Sequence, residues 1–141
     1  MSPAQLRAAR LARLGPLLRE CAEQLGVPSR ATFTLKLTDD QELQALNSRF
    51  LAETQPTDVL AFPGDETRPT QRIGAGSRVG DVAISVERAL AQSSDGPSEL
   101  RMLAVHGLLH CLGYDHADPA SAGEMASLTR RLLPAQDIPD L

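Results

Sequence analysis

The segment HGLLHCLGYDH, residues 106–116, contains all three histidines of the chain. His106 and His110 are four residues apart, a spacing that puts both rings on one face of an α-helix. If the helix simply continued, His116 would lie about 9 Å further along its axis than His110. Gly113 removes this obstacle, because a glycine in the left-handed conformation can end a helix and turn the chain back. The segment therefore predicts a helix, a glycine turn and a three-histidine site.

Three imidazoles without a fourth protein ligand are typical of an open, catalytic zinc site, since structural zinc sites are closed and usually contain thiolates. We therefore predict that the three histidines bind one Zn²⁺ ion. Nickel or another divalent metal also binds imidazole, and zinc is the expectation from availability. Cys111 lies about 100° around the helix from His110, which favours a packed core thiol over a soft ligand. Cys21 and Cys111 are both expected to be reduced.

Gly107 stands where the zinc-protease motif HExxH has the glutamate that activates water. Two groups could replace this glutamate: a metal ion that lowers the pKa of its bound water to near 7, or a carboxylate from another part of the chain. Asp115 is the first candidate, although its alternative role is to orient a histidine N–H. Asp58 and Asp81, at strand boundaries, are weaker candidates. Cleavage of a peptide needs a carboxylate that delivers a proton to the poor leaving amine. Cleavage of a phosphodiester can proceed when a metal ion and a cationic side chain neutralise the charge on the phosphoryl oxygens. Gly107 therefore favours a phosphodiester substrate over a peptide.

The chain of 141 residues is expected to form one domain, residues 1–141, of the α+β class. Helical and strand patterns interleave, which predicts a small mixed sheet packed against several helices. A basic helix is predicted over residues 3–25, with a possible interruption at Gly15-Pro16 and an end at Gly26. Thr38, Ser85 and Ser98 are predicted N-caps, the last one opening the motif region 98–116. Strands are predicted over residues 31–37, 58–62 and 79–86, and a last helix over residues 119–133.

The net charge of −4 is unevenly distributed. Residues 1–37 contain six basic and two acidic side chains, and the remainder contains eight basic and sixteen acidic ones. A basic segment can contact an anionic polymer, but charge alone favours a solvated helix face. No apolar run approaches the ~20 residues that span a bilayer, and no signal-peptide core is recognisable. We therefore expect a cytoplasmic location without membrane contact.

Residues 106–116 resemble the signature H-G-x-L-H-L-x-G-Y-D-H of the YbeY-type endoribonucleases of bacterial ribosomal RNA maturation. Only Cys111 departs from it, in place of an apolar residue. Four further blocks agree in the right order: LN at 46–47, PTDVLAFP at 56–63, GDVAIS at 80–85 and EM at 124–125. The resemblance runs from about residue 31 to residue 133, and is therefore specific.

The resemblance implies an α+β fold, zinc bound by three histidines, and cleavage of single-stranded RNA. It also implies small-subunit ribosomal RNA processing and ribosome quality control, with ribosomal RNA, the small ribosomal subunit and ribosomal proteins as partners. The sequence specifies no oligomeric state. The residues assigned to catalysis on this basis are His106, His110, His116 and Asp115.

One departure from the family pattern concerns residues expected to bind the substrate. The family pattern L-N-x-x-[YF]-R has an arginine where this chain has Leu51, and Thr54 stands where an aspartate is common. Arg49 and Asp58 are the candidate substrate-binding residues. Arg49 lies about 160° around a helix from Leu51, however, which favours a surface position. Two alternatives to the endoribonuclease therefore stay open: a non-catalytic ribosome-assembly factor with a structural metal, or a hydrolase of another substrate that uses metal hydroxide.

Overall fold

A computed structural model describes residues 1–51, 58–64, 78–114 and 118–134. Within these ranges the chain forms six helices and one three-stranded sheet, which confirms the predicted α+β class. No helix of these ranges is long and apolar enough to cross a membrane. The elements are α1 (Pro3–Ala12), α2 (Leu14–Gln24), β1 (Thr32–Thr38), α3 (Asp40–Leu51), β2 (Val59–Pro63), β3 (Arg78–Ser85), α4 (Val86–Gln92), α5 (Gly96–Cys111) and α6 (Pro119–Leu132).

The sheet has the order β1-β3-β2. β3 pairs in parallel with β1, where Val82 faces Leu35, and antiparallel with β2, where Val82 faces Ala61. The central strand is buried along almost its whole length, as expected for a strand covered on both faces. β1 alternates between exposed and half-buried residues over Thr32–Leu37, the period-two pattern from which it was predicted.

Helix α5 is the centre of the molecule. It packs against β2 and β3 on one side and against α1, α2, α4 and α6 elsewhere around its circumference. Nine of its residues are buried, so this helix is apolar around most of its surface. The opposite face of the sheet carries a smaller cluster, in which Leu60 and Ala83 pack against Leu43 of α3. The sheet therefore lies between α3 and α5.

The predicted helix over residues 3–25 is wrong as a single element, because the chain breaks at Arg13. Arg13 has a φ of 50°, in the left-handed region, and separates α1 from α2. The physical cause is Pro16, which has no N–H to donate to the Ala12 carbonyl. The Arg101 guanidinium donates to this oxygen instead, at 2.8 Å from Nη1. The break thus precedes the expected Gly15-Pro16 interruption, and Pro16 lies in the first turn of α2, where its lack of an N–H is tolerated.

Two of the predicted N-caps are also corrected. Thr38 is the last residue of β1, and the backbone N–H of Glu42 donates to Asp39 Oδ1 at 2.9 Å at the start of α3. Asp39 therefore caps this helix in place of Thr38. Ser98 is replaced by Asp95 at the start of α5. The cap of α4 is as predicted, since the Ser85 hydroxyl accepts from the Arg88 N–H at 3.2 Å.

The start of α3 is tied to α4 by a bidentate ion pair. Arg88 donates from Nη2 and Nε to the two carboxylate oxygens of Asp40, at 2.8 and 3.1 Å. The Ser85 hydroxyl donates to the same carboxylate at 2.7 Å. Partial burial raises the pKa of Asp40, but the hydrogen bonds from Ser85 and Arg88 outweigh it and hold the pKa below its usual value. The N-cap of α4 and the first residue of α3 are therefore joined at one end of the sheet.

Candidate metal centre

The helix that carries the first two histidines begins at Gly96 because Asp95 caps it. The Asp95 carboxylate accepts from the Ser98 N–H at 3.2 Å and from the Ser98 hydroxyl at 2.8 Å. These two bonds lower the pKa of Asp95, the hydroxyl contributing more than the N–H. Pro97 follows in the first turn, where its missing N–H has no helical partner to lose. Ser98 thus stabilises the cap as a donor from inside the helix.

His106 and His110 converge through their Nε2 atoms. The two nitrogens lie 3.0 Å apart, and the ring centroids lie 4.5 Å apart with the planes inclined at 76°. Two nitrogens on one tetrahedral zinc ion, at Zn–N distances of about 2.0–2.1 Å, are separated by about 3.3 Å. Both rings are half-buried on the same side of α5. The pair therefore has the spacing that two ligands of a single ion require.

Gly107 has a packing role that the sequence did not reveal. It is buried where α5 crosses β3, and a Cβ atom built at residue 107 would lie 2.6 Å from Val82 Cγ1. Real Cβ atoms do not approach another carbon this closely, so a side chain here would push the helix off the strand. The glutamate of the protease motif therefore has no room at this position. The absence of a carboxylate follows from the close approach of helix and sheet.

The end of α5 is a Schellman motif centred on Gly113. The Gly113 N–H donates to the His110 carbonyl at 3.0 Å, and the Tyr114 N–H donates to the Leu109 carbonyl at 3.1 Å. Gly113 has a φ of 97°, which confirms the predicted positive φ. The chain therefore leaves the helix axis at Gly113, three residues after His110. Residues Asp115 and His116, the predicted general base and third ligand, lie outside the described residues.

The fit of the site to a metal ion rests on the donors that are described. Among these residues, no three histidine, cysteine or carboxylate side chains converge on one point, and the candidate third ligand His116 is not among them. Metal binding needs an unprotonated Nε2 on both rings, which places the ring proton on Nδ1 in each. The donor set of His106 and His110 thus fits zinc, nickel and related divalent ions.

Cys111 is the packed thiol that the helix phase predicted. Its side chain is fully buried, and its sulfur lies 3.9 Å from the Asp81 carbonyl oxygen. Burial, with a smaller contribution from the charge of Asp81, raises the pKa of Cys111 to about 12. Burial likewise raises the pKa of Cys21 to about 11. Both cysteines are free thiols in the apolar interior.

Asp58 and Glu99 come together near the start of β2. Gln92 donates from Nε2 to Asp58 Oδ2 at 3.1 Å, and the Asp58 carbonyl accepts from the Ser85 N–H at 2.9 Å. Burial and the neighbouring charge of Asp58 raise the pKa of Glu99. Glu99 precedes His106 by seven residues, which are two helical turns, and so lies on the same side of α5. Glu99 is not among the candidates that the sequence predicts, although the seven-residue spacing from His106 indicates a shared side of the helix.

The remaining candidates lie on the other face of the sheet or at its edge. Asp81 forms an ion pair with Arg78, with 3.1 Å between Asp81 Oδ2 and Arg78 Nη1. Arg49 occupies an exposed position in the last turn of α3, as its helix phase predicted. Leu51 is the last residue of α3, and its side chain is outside the described part of the chain. Thr54 is also outside it.

Comparison with known proteins agrees with the resemblance of the motifs. The profile of the family described as Endoribonuclease YbeY matches residues 6–136. An Endoribonuclease YbeY of Thermobifida fusca is 39% identical over 127 residues, 86% of this chain and 82% of that protein. One of Renibacterium salmoninarum is 37% identical over 138 residues, 94% of this chain and 86% of that protein.

A solved structure shows the same fold. The solution structure of TM1509 from Thermotoga maritima superimposes with a TM-score of 0.55, and the match covers 90% of this chain and 84% of that one at 21% identity. The fold, the histidine pair on α5 and the match over residues 6–136 lead to one assignment. This chain belongs to the YbeY family, the family described as Endoribonuclease YbeY.

Proposed function

We propose that this chain is a zinc-dependent endoribonuclease that cleaves single-stranded RNA in the cytoplasm, in the maturation and quality control of small-subunit ribosomal RNA. The observation that carries the proposal is the 3.0 Å approach of the His106 and His110 Nε2 atoms, in a chain of an endoribonuclease family. Ribosomal RNA, the small ribosomal subunit and its proteins are the proposed partners. Nickel or another divalent ion is an alternative to zinc, because imidazole ligands accept several metals.

His106, His110 and His116 would hold the ion, and Asp115 would orient the His116 ring or accept a proton. A bound zinc ion supplies a Lewis acid for a phosphoryl oxygen and makes water acidic enough to act near neutral pH. The chain itself keeps the two described imidazoles half-buried and aligned, because α5 is pinned to β3 at Gly107 and ends at Gly113. RNA brings a nucleophile of its own, the 2′-hydroxyl. A protease-type glutamate is therefore dispensable for this substrate.

The substrate side is assigned to Arg49 and Asp58. Arg49 is exposed at the end of α3, where a guanidinium can meet a phosphate. Asp58 is held by Gln92, and its carboxylate is available to orient a ribose hydroxyl or the attacking water. Leu51 in place of the family arginine supports a second candidate, a ribosome-assembly factor in which the metal only stabilises the fold. That candidate predicts co-sedimentation with small ribosomal subunits without turnover.

The deciding experiment compares zinc content and RNA cleavage in the same preparations. His110→Ala should lose bound zinc and slow the cleavage of a fluorescent single-stranded RNA more than about a hundredfold. Mutation of even the residues that hydrogen-bond to a metal ligand lowers metal affinity or activity about 10–100-fold. Zinc added back to metal-depleted wild-type protein should restore its activity but not that of the variant. Equal cleavage by metal-free and zinc-loaded wild-type protein would refute zinc dependence. Zinc binding without any turnover would select the assembly factor.

A further inference from the structure

The side of α1 that points away from the core carries arginines and leucines together. Ala8 and Ala12 are the buried residues of this helix, and each residue turns the helix by about 100°. Arg10 therefore lies almost opposite the buried pair. We call this side the α1 outer face; it consists of Leu6, Arg7, Arg10 and Leu11.

The α1 outer face is unusual for a solvated surface. The Leu11 and Leu6 side chains are 64% and 39% exposed, although both are large and apolar. Arg7 and Arg10 are exposed as well, and neither forms an ion pair with any described residue. The first acidic residue of the whole chain is Glu20, so no carboxylate of α1 neutralises these arginines. Apolar and cationic groups are thus presented together on a helix that has no acidic side chain of its own.

Arg13 adds a third guanidinium directly after α1. It is the only residue other than glycine with a positive φ among the described residues, at 50°. This conformation is unfavourable for a residue with a Cβ atom, and glycine or asparagine is the usual choice. The chain thus keeps a guanidinium group at this position at a cost in backbone strain. The Arg13 side chain is exposed.

The surface is rigid before any partner arrives. A capping box closes the start of α1, since the Ser2 hydroxyl accepts from the Gln5 N–H and the Gln5 side chain accepts from the Ser2 N–H. Ala8 packs on the start of α5, where a Cβ atom built at Gly96 would be in ordinary van der Waals contact with Ala8 Cβ, at 3.5 Å. A preformed surface loses little conformational freedom when it binds.

Charge decides the class of the partner. Residues 1–37 contain six basic and two acidic side chains, whereas the rest of the chain contains eight basic and sixteen acidic ones. A polyanion is therefore repelled by most of the molecule and attracted to the N-terminal helices. Guanidinium groups bind phosphates bidentately, and leucines can contact the ribose and base surfaces of an unpaired strand. Two leucines on a helix of 10 residues are little apolar area for a lipid surface.

We propose that the α1 outer face and Arg13 bind the phosphate backbone of the RNA substrate at a distance from the metal site; this rests on the proposed function. The contacts of α1 on α5 run from Gly96 to Arg101, which precede His106 by 10 and 5 residues and therefore lie about 15 and 8 Å from it along the helix, with the α1 outer face turned away from α5. A short RNA at the histidines does not reach this surface, but a longer strand does. The contact therefore selects for long single-stranded RNA and contributes to binding without taking part in the chemistry.

Binding is measured first in a background that cannot cleave. The double variant Arg7→Gln/Arg10→Gln is compared with Arg30→Gln/Arg131→Gln, which removes two exposed arginines elsewhere, both in the His110→Ala protein. For an RNA of about 16 nucleotides the first pair should weaken binding about tenfold and reduce the salt slope by about 1.4, since each phosphate contact to a single strand contributes about 0.7. The control pair should do neither. Equal losses in the two pairs would overturn the proposal, as would binding to phosphatidylcholine–phosphatidylglycerol vesicles that depends on Arg7 and Arg10 while RNA binding does not.

Two further readouts separate this contact from a structural or catalytic effect. Arg13→Gly should weaken RNA binding while its melting temperature stays at or above that of the parent, because glycine adopts the left-handed conformation without strain. In zinc-loaded protein with His110 intact, Arg7→Gln/Arg10→Gln should raise KM for the long RNA and leave kcat unchanged, and should not affect a trinucleotide. Unchanged RNA affinity in Arg13→Gly counts against the proposal. If no protein cleaves RNA, the proposed function fails while the binding comparison still decides this inference.

Discussion

At residue 107 the missing side chain is a requirement of packing. Gly107 lets α5 lie directly on Val82 of β3, at the residue that follows His106. The identity of residue 107 therefore affects both the packing of α5 on β3 and the groups that are available for catalysis. The face of α5 at residue 107 belongs to the core, and a general base at this residue would have to lie inside it.

Gly107→Ala should lower the free energy of unfolding by about 1–3 kcal/mol, the usual range for overpacking. Glycine 123 is the matched control, because it lies in α6 with no atom within 4 Å of an added Cβ. Gly123→Ala should be neutral or stabilising by roughly 0.5–1 kcal/mol through helix propensity. Urea denaturation of both variants checks the prediction. Val82→Ala should recover part of the loss at residue 107, and a Gly107→Ala protein as stable as wild type would contradict the close contact.

Leu51→Arg tests whether the family arginine limits the chemistry. A guanidinium at the end of α3 would neutralise charge on the phosphodiester, and one such group is worth about 10²–10³ in rate when well placed. We expect cleavage of single-stranded RNA to rise at least about tenfold over wild type. Ala45→Arg adds the same charge to an exposed position of the same helix and should leave the rate unchanged. An equal gain in both variants would indicate general electrostatic attraction to RNA.

At the scale of elements, α2 and α5 end in the same way but serve different purposes. Gly26 and Gly113 have φ values of 77° and 97°. In both, the glycine N–H and the next N–H close a Schellman motif on carbonyls of the last helical turn. After α2 this turn leads into β1. After α5 it leads towards His116, the candidate third ligand.

Gly113→Ala and Gly26→Ala should each lower stability by about 1 kcal/mol or more, because alanine is strained in the left-handed region. Only Gly113→Ala should also weaken zinc binding, since only this turn precedes a candidate ligand. Thermal unfolding of the metal-free proteins and a competitive zinc titration measure the two effects separately. A zinc affinity that falls equally in both variants would show that the loss reflects general destabilisation and that the turn has no special role.

At the scale of the whole molecule, the two free thiols lie in one hydrophobic core. Cys21 of α2 and Cys111 of α5 belong to the same buried cluster. Burial raises the pKa of Cys21 to about 11 and that of Cys111 to about 12. Since the thiolate is the reactive form, both sulfurs are unreactive at neutral pH for two reasons: the thiols stay protonated, and reagents cannot reach them.

Alkylation of both cysteines in the folded protein at pH 8 should be at least about a thousandfold slower than in urea, as expected if labelling requires global unfolding. The two rates should be similar, and raising the pH to 9 should not make labelling of the folded protein approach the unfolded rate. Mass spectrometry of peptides containing each cysteine measures both rates. Rapid labelling of Cys111 alone on zinc removal would identify it as a metal ligand and contradict its place in the core.

The sequence by itself determined the features that depend on neighbours within one turn or one strand. The alternation in β1, the Ser85 cap, the Gly26 and Gly113 turns and the pairing of His106 with His110 are all of this kind, because hydrogen bonds and helical phase over a few residues specify them. The error at Ser98 is also local: Asp95 and Ser98 are equally good caps, and the bonds that Ser98 donates to Asp95 favour the earlier start.

Only the tertiary structure decided the features that join distant parts of the chain. The break at Arg13 is completed by Arg101 from α5, the reason for Gly107 is Val82 of β3, and the shifted pKa of Glu99 depends on burial and on Asp58. The sequence shows the positive charge of the α1 outer face. Only the structure shows that Ala8 and Ala12 are the buried side and that the leucines are exposed. Periodicity indicates which residues share a face, whereas packing of one element on another determines which face is buried and what it meets.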